Sequence, residues 1–302
     1  MMILFQNRIL YMPGIPFGSR REELPKTFNT LTWSSYALPL PHTKHTLAVA
    51  TTMVGTPAPE KKHTVIVYFQ GNAASAPLRV PSLSRVFKGL STKDTYYTFL
   101  YPSYRGYWTS TGRPSFKAIS EDTPEVFRHI HDTYPSARIV LWGQSIGCPI
   151  VLHGLAHEGD TFGGKKVDVV LETPFTSVVD MIPAMWPERW LPYHYLGPFV
   201  RSRWDSVAAF EKARDRVGRM LVLRAEKDEI VPEAVGRKIE EEAERMLGGG
   251  EEEGGGQGQA QGMSRGTRKG RYRGVVVKGA LHTMVLEKQQ GVEEVRGFLE
   301  GR

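Results

Sequence analysis

Apolar residues fall into short, nearly unbroken runs separated by longer segments of mixed character. Runs at 45–54, 64–69, 96–101, 138–142, 167–172, 219–224 and 272–277 are rich in Val, Ile, Leu, Tyr and Phe, which predicts strands. Between them the pattern suits helices. Residues 116–134 are expected to form a helix broken near Pro124, 232–247 a charged amphipathic helix, and about 291–299 a terminal helix. A further helix-compatible segment follows the run at 138–142 and continues through His157. Fully apolar strands alternating with helices predict an α/β fold with a mostly parallel central sheet covered on both faces. A chain of 302 residues is long enough for one large domain of this kind or two small ones.

Three stretches interrupt the alternation. Residues 1–40, rich in Pro, Gly and aromatics, read as an N-terminal docking segment, which leaves 41–302 for the α/β domain. The segment 181–204 holds three of the six tryptophans and several prolines, and is placed in a small cap over about 175–206. Residues from about 248 to 271 are of low complexity, first acidic and then basic, and are expected to be a disordered surface insertion.

Composition changes this picture little. Hydrophobic content of 40% and charged content of 24% are ordinary for a soluble globular protein. A net charge of +7 raises the question of nucleic acid or anionic membrane. The charge is scattered, however, and no basic stripe with interleaved aromatics appears, so no nucleic-acid partner is expected; the Arg-Gly-bearing residues 265–273 read as a solvated loop. No run approaches the roughly 20 apolar residues of a membrane span. The opening residues 1–5 lack the charged start and long apolar region of a signal peptide. The single cysteine, Cys148, excludes an intramolecular disulfide and a C-x-x-C site, agrees with a reducing, intracellular setting, and reads as a small core residue.

The candidate chemistry begins where the run 138–142 ends in Gly143-Gln144-Ser145-Ile146-Gly147. A G-x-S-x-G between a strand and a helix is the sequence of a sharp turn that exposes the serine oxygen above a helix N-terminus. A serine needs a base within hydrogen-bond reach, and histidine suits that task near neutral pH. Of nine histidines, His282 follows the last strand in a glycine-flanked turn and is the candidate base. His153 and His157 lie on the helix after the turn and point away; His129 and His131 have the wrong spacing for one-face metal ligation, and no H-E-x-x-H is present. A carboxylate should orient the histidine. Asp228, after the penultimate strand, is preferred; Glu172 is the rival, and Glu226 and Glu229 are expected to point elsewhere. The backbone N–H of Ile146 and one from the turn Gly71-Asn72-Ala73 are the candidate oxyanion donors.

The stretches YFQGNAAS, YPSYRGYWTSTGRPS with Asp122 downstream, LWGQSIG, LETPFTS, AEKDEIVP and GALHTMV run in order over roughly residues 45–300. In this the chain resembles the α/β-hydrolases. The similar branch is that of the α/β-hydrolase-domain serine hydrolases related to monoacylglycerol and lysophospholipid lipases and protein depalmitoylases. Two positions depart from the family: Gln70 stands where histidine usually precedes the oxyanion turn, and Ser103 where an aspartate precedes Tyr-Arg-Gly. Tyr104, Arg105 and Gly106 are expected to brace the loop. The resemblance implies an esterase, lipase or thioesterase acting on lipid-like acyl substrates through an acyl-enzyme, with Ser145, His282 and Asp228 as its triad and no metal or organic cofactor. Trp186, Trp190 and Tyr193, with Tyr195 and Trp204, would line an acyl pocket, lie on a membrane interface in peripheral contact, or form a subcore under the cap. A peptidase or amidase on the same residues, and a catalytically idle scaffold serving as a binding module, are the alternatives.

Overall fold

The computed structural model describes residues 6–157, 161–185, 190, 195, 197–248 and 267–302. Its strands are β1 (Thr27–Phe28), β2 (Leu31–Pro39), β3 (Thr46–Val54), β4 (Lys62–Phe69), β5 (Thr95–Pro102), β6 (Arg138–Gln144), β7 (Val167–Glu172), β8 (Val217–Ala225), β9 (Thr267–Lys269) and β10 (Tyr272–Val277). The helices are α1 (Gln6–Leu10), α2 (Ala76–Phe87), α3 (Phe116–Thr133), α4 (Gly147–His157), α5 (Val178–Met185), α6 (Ser206–Ala213), α7 (Glu233–Leu247) and α8 (Gln289–Leu299). All the strands join one sheet in the order β1-β2-β3-β5-β4-β6-β7-β8-β10-β9. Its middle, from β5 to β10, is parallel, and antiparallel pairs flank it on both sides.

Both faces of the sheet are apolar, and the period-two alternation of strand side chains divides the core accordingly. On β4, Val65, Val67 and Phe69 enter one core with Phe127 of α3, Ile150 of α4, Phe210 of α6 and Ile239 of α7. Ile66 and Tyr68 enter the other with Leu83 of α2 and Val295 and Phe298 of α8. This is why the parallel strands read as unbroken apolar runs. The chain leaves β4 through α2 to β5 on one side, then returns through α3 to β6 on the other. Such a reversal opens a crevice at the carboxyl ends of the strands.

Three expectations are corrected here. Residues 31–39 form β2, paired with β3 from Trp33↔Thr52 to Pro39↔Thr46, so the sheet begins inside the segment assigned to docking. Alternation of buried and exposed residues there (Trp33 in, Thr32 and Ser34 out) marks an edge-side strand that short polar residues disguise. Helix α3 runs unbroken through Pro124. Thr123 and Phe127 pack so closely on α4 that a Cβ at Gly154 would lie 2.6 Å from Thr123 and 2.7 Å from Phe127; tertiary packing outweighs the one forfeited hydrogen bond. Finally, residues 267–269 of the expected insertion pair with β10, while 249–266 lie outside the described residues. No described helix is long and apolar enough to cross a membrane.

Candidate active site

Ser145 lies between β6 and α4 with a backbone φ of +52°, in the left-handed region where a side chain is strained. Close packing forces the turn. A Cβ on Gly147 would sit 2.0 Å from the Phe69 carbonyl oxygen, and one on Gly143 would sit 2.5 Å from that of Gly147. The Ser145 N–H donates to the Glu172 carbonyl (2.8 Å), which ties the turn to the end of β7. Cys148 is buried beneath it, and burial pushes its thiol well above the usual range, as befits a core residue rather than a second nucleophile.

His282 stands above this turn, 2% exposed. Its Nε2 is 2.9 Å from Ser145 Oγ, and its Nδ1 is 2.9 Å from both carboxylate oxygens of Asp228. Asp228 is held in turn by the N–H groups of Ile230 (3.0 Å) and Val231 (2.7 Å), each donating to Oδ1. The structure therefore brings Ser145, His282 and Asp228 into one hydrogen-bonded line. Glu172, the rival carboxylate, faces Arg79 (3.1 Å) and the Trp142 indole N–H (3.1 Å) instead of the imidazole. Glu226 and Glu229 do not face the ring either, but they are not idle. Glu226 accepts the Gly279 N–H (2.7 Å) and Glu229 the His282 N–H (2.9 Å), so both clamp the loop that carries the histidine. Sequence reasoning passed over this, although AEKDEIVP spaces three carboxylates around one turn.

The turn after β4 approaches from the other side. Its Gly71 N–H donates to Gln144 Oε1 (2.9 Å), the residue just before the serine. Gln70 takes up the anchoring expected of a histidine: Tyr101 donates to its Oε1 (2.8 Å), and Tyr104 donates to its carbonyl (2.7 Å). Its amide also faces the Ala73 and Ala74 carbonyls at 3.4 Å. Arg105 forms a buried ion pair with Asp122, with Nε 2.8 Å from Oδ2, and so braces the loop after β5. The N–H groups of Asn72 and Ile146 have no hydrogen-bond partner among the described residues.

A cavity of about 1100 Å³ opens above Ser145. Leu10, Met12, Ile146, Phe175, Val178, Met181, Ile182, Phe199, Val200, Ile230 and Met284 are among the apolar residues of its wall. The N-terminal segment thus roofs the site: Tyr11 accepts the Trp204 indole N–H (2.7 Å), Met12 N–H faces Asn72 Oδ1 (3.2 Å), and the Ala74 N–H donates to the Ile15 carbonyl (2.7 Å). Only some of the aromatic residues expected in the cap are among the described residues. Trp190 is 80% exposed, Trp204 is buried against Tyr11, Phe116 and His153, and Trp186 and Tyr193 lie outside the described residues. The described wall is apolar and largely aliphatic, with Phe175 and Phe199 among it, and is built from residues whose apolar character was indistinguishable from core in the sequence. Among the described residues no group of His, Cys, Asp or Glu is arranged to hold a metal ion.

No family model matches the chain. It is 30% identical over 232 residues to the protein Bem46 of Schizosaccharomyces pombe, an alignment covering 76% of this chain and 71% of that one. The chain belongs to the α/β-hydrolase-domain family. The lysophosphatidylserine lipase ABHD12 of Danio rerio is 26% identical over 189 residues, covering 60% of this α/β-hydrolase and 47% of the relative. Among solved structures, an esterase of Pyrococcus furiosus superposes with a TM-score of 0.61 at 14% identity, covering 92% and 93% of the two chains, a likeness of fold. The parallel α/β sheet read from the strand pattern and the α/β-hydrolase fold implied by the resemblance are thus the observed architecture, and the chain stands among hydrolases.

Proposed function

We propose that this α/β-hydrolase is a serine hydrolase that cleaves carboxylic esters or thioesters of apolar acyl groups. The observation that carries the reading is the line Asp228–His282–Ser145, with each contact at 2.9 Å, at the floor of an apolar cavity of about 1100 Å³. Ser145 Oγ attacks the acyl carbonyl while His282 Nε2 takes its proton. Asp228 fixes the imidazole with Nδ1–H toward the carboxylate and stabilises the imidazolium. The unpartnered N–H groups of Ile146 and Asn72 receive the developing oxyanion, each worth on the order of 3 kcal/mol in the transition state. Collapse breaks the acyl bond, His282 returns the proton to the leaving alkoxide or thiolate, and an acyl-Ser145 ester remains. Water then repeats the sequence, releasing the acid and restoring Ser145. The lipase activity named for the ABHD12 relative supports the same bond class.

The test is labelling by a fluorophosphonate, compared with Ser145→Ala, followed by p-nitrophenyl esters from acetate to palmitate. Labelling confined to the wild type, with kcat/KM rising toward longer chains, is expected. Well-folded wild type that neither labels nor turns over would favour the idle scaffold instead.

The reading extends to where the substrate is met. Leu78, Phe199, Ile230 and Met284 line the cavity yet are solvent-exposed, and so are Ile15, whose carbonyl accepts the Ala74 N–H, and Phe17 two residues on. An apolar rim around an apolar cavity suits peripheral contact with a lipid surface. Cosedimentation with phosphatidylcholine vesicles is expected, weakened in Phe17→Ser with Phe199→Ser; full recovery of wild type in the supernatant would overturn it.

A further inference from the structure

We propose that Arg79 is a positioning residue that sets His282 against Ser145, anchored by Glu172; this rests on the triad proposed above. Glu172 is tied to both partners of the reacting pair. Its carbonyl accepts the Ser145 N–H (2.8 Å), and its carboxylate accepts from Arg79 Nη2 (3.1 Å). Arg79 Nη1 in turn donates to the Thr283 carbonyl (3.1 Å), one residue after the base. Nucleophile and base are thus registered to the same residue at the end of β7.

The connection is built to be rigid. Glu172 is wholly buried, and its second oxygen accepts the Trp142 indole N–H (3.1 Å). The Arg79 side chain is 12% exposed, and both Nε (3.1 Å) and Nη2 (2.8 Å) reach the Tyr68 hydroxyl, which fixes the plane of the guanidinium. A planar fork can hold Tyr68, Glu172 and Thr283 at once, which an ammonium cannot do with the same geometry. Burial pushes the Glu172 carboxyl upward, and the guanidinium opposes that shift. The carboxylate also matters to Arg79, because a buried cation left uncompensated beneath His282 would disfavour the imidazolium formed during attack.

The same face of α2 holds the rest of the loop. Ser82 donates to Glu287 Oε1 (2.7 Å), and Arg85 pairs with the other oxygen of Glu287. Glu226 and Glu229 grip the loop from the β8 side, and Arg79 ties it to Glu172, whose carbonyl holds the nucleophile's N–H.

Steady-state kinetics on a chromogenic ester, with thermal melting and fluorophosphonate labelling, test this in Arg79→Met and Arg79→Lys. A misplacement of about 1 Å costs on the order of 10²-fold in rate, so kcat of Arg79→Met should fall by about 10²-fold with KM nearly unchanged. Arg79→Lys, which keeps the charge opposite Glu172, should show an intermediate kcat and serves alone if the Met variant does not fold. A lower melting temperature with wild-type kcat would make Arg79 a brace of the fold and overturn the proposal. A raised KM at wild-type kcat would make it a substrate contact and overturn it equally. Absence of Ser145-dependent labelling in the wild type would overturn the triad reading, and this inference with it.

Discussion

Strand β7 carries a buried carboxylate at each end, and the two are used differently. Asp168, near its start, is 8% exposed and Glu172, at its finish, is 0% exposed; each is matched to arginine. Asp168 accepts from Arg138 Nη2 (2.6 Å) and Arg219 Nη2 (2.9 Å), and both arginines also reach the Phe298 carbonyl. Burial works against its charge, but Arg219 and Arg138 more than offset it and hold the carboxyl below its ordinary value. Glu172 has one arginine, and burial leaves its carboxyl above its ordinary value. At the amino end, two cations staple β6, β7, β8 and α8. At the carboxyl end, a less compensated charge is kept where Ser145 and the His282 loop meet. The difference separates a clamp for stability from a clamp for geometry.

The largest test strikes the carboxyl end. Ser145→Gly should reduce ester turnover by about 10⁴-fold or more, since no other nucleophile occupies the line to His282. Stability should not fall with it. Glycine adopts a positive φ freely, and relief of about 1 kcal/mol of backbone strain roughly offsets the entropy glycine adds to the unfolded chain. Urea denaturation should give a midpoint at or above that of wild type. A marked loss would mean that the elbow stores no strain.

The reciprocal test strikes the amino end. Asp168→Asn leaves Arg138 and Arg219 without their counter-charge, and breaking such a buried pair costs about 3 kcal/mol. This is the low end of the usual range, because the two arginine side chains are 32% and 29% exposed. The urea midpoint should fall while kcat stays at its wild-type value. A fall in kcat per folded molecule would break the separation of the two ends.

This division also marks what the sequence could disclose. Residues acting through local geometry were legible: Ser145 between two glycines, Asp228 and His282 each just past a strand. Their spacing follows from where strands of a parallel sheet must end. Arg79 was not, because α2 carries Pro77 and Pro81, which hide a helix whose first-turn proline is harmless. The described wall of the pocket was hidden for a related reason. Tryptophans draw attention by size, yet Trp190 faces solvent and Trp204 packs on Tyr11, while Leu10 and Met12 reach the cavity from a segment that looked like a separate appendage. Long-range packing decides such cases, and no local pattern encodes it.

The smallest expected effect is a pH slope carried by histidines and not by Asp168. Burial holds His63, His129 and His153 below the ordinary histidine value of 6.5. A histidine depressed in the folded state is neutral in both states above 6.5, so its full contribution to stability is present there. As the pH drops below 6.5 the unfolded chain takes up the proton first, and the contribution is lost progressively through the folded-state value. The histidine share of stability should therefore decline from pH 7.5 to pH 5, opposed by carboxyls that burial holds above their ordinary values, Glu172 among them. Asp168 adds nothing in that window, because a carboxyl held below 3.8 surrenders its contribution only as the pH falls further. His63, stacked on Tyr96 at 4.2 Å and 2.9 Å from Thr98 Oγ1, offers the cleanest probe. His63→Gln should flatten the slope between pH 7.5 and 5 yet leave Asp168→Asn as costly at pH 5 as at pH 7.5. A slope unchanged by His63→Gln but removed by Asp168→Asn would assign the acid sensitivity to the amino-end clamp, and the two carboxylates of β7 would need to be reassigned.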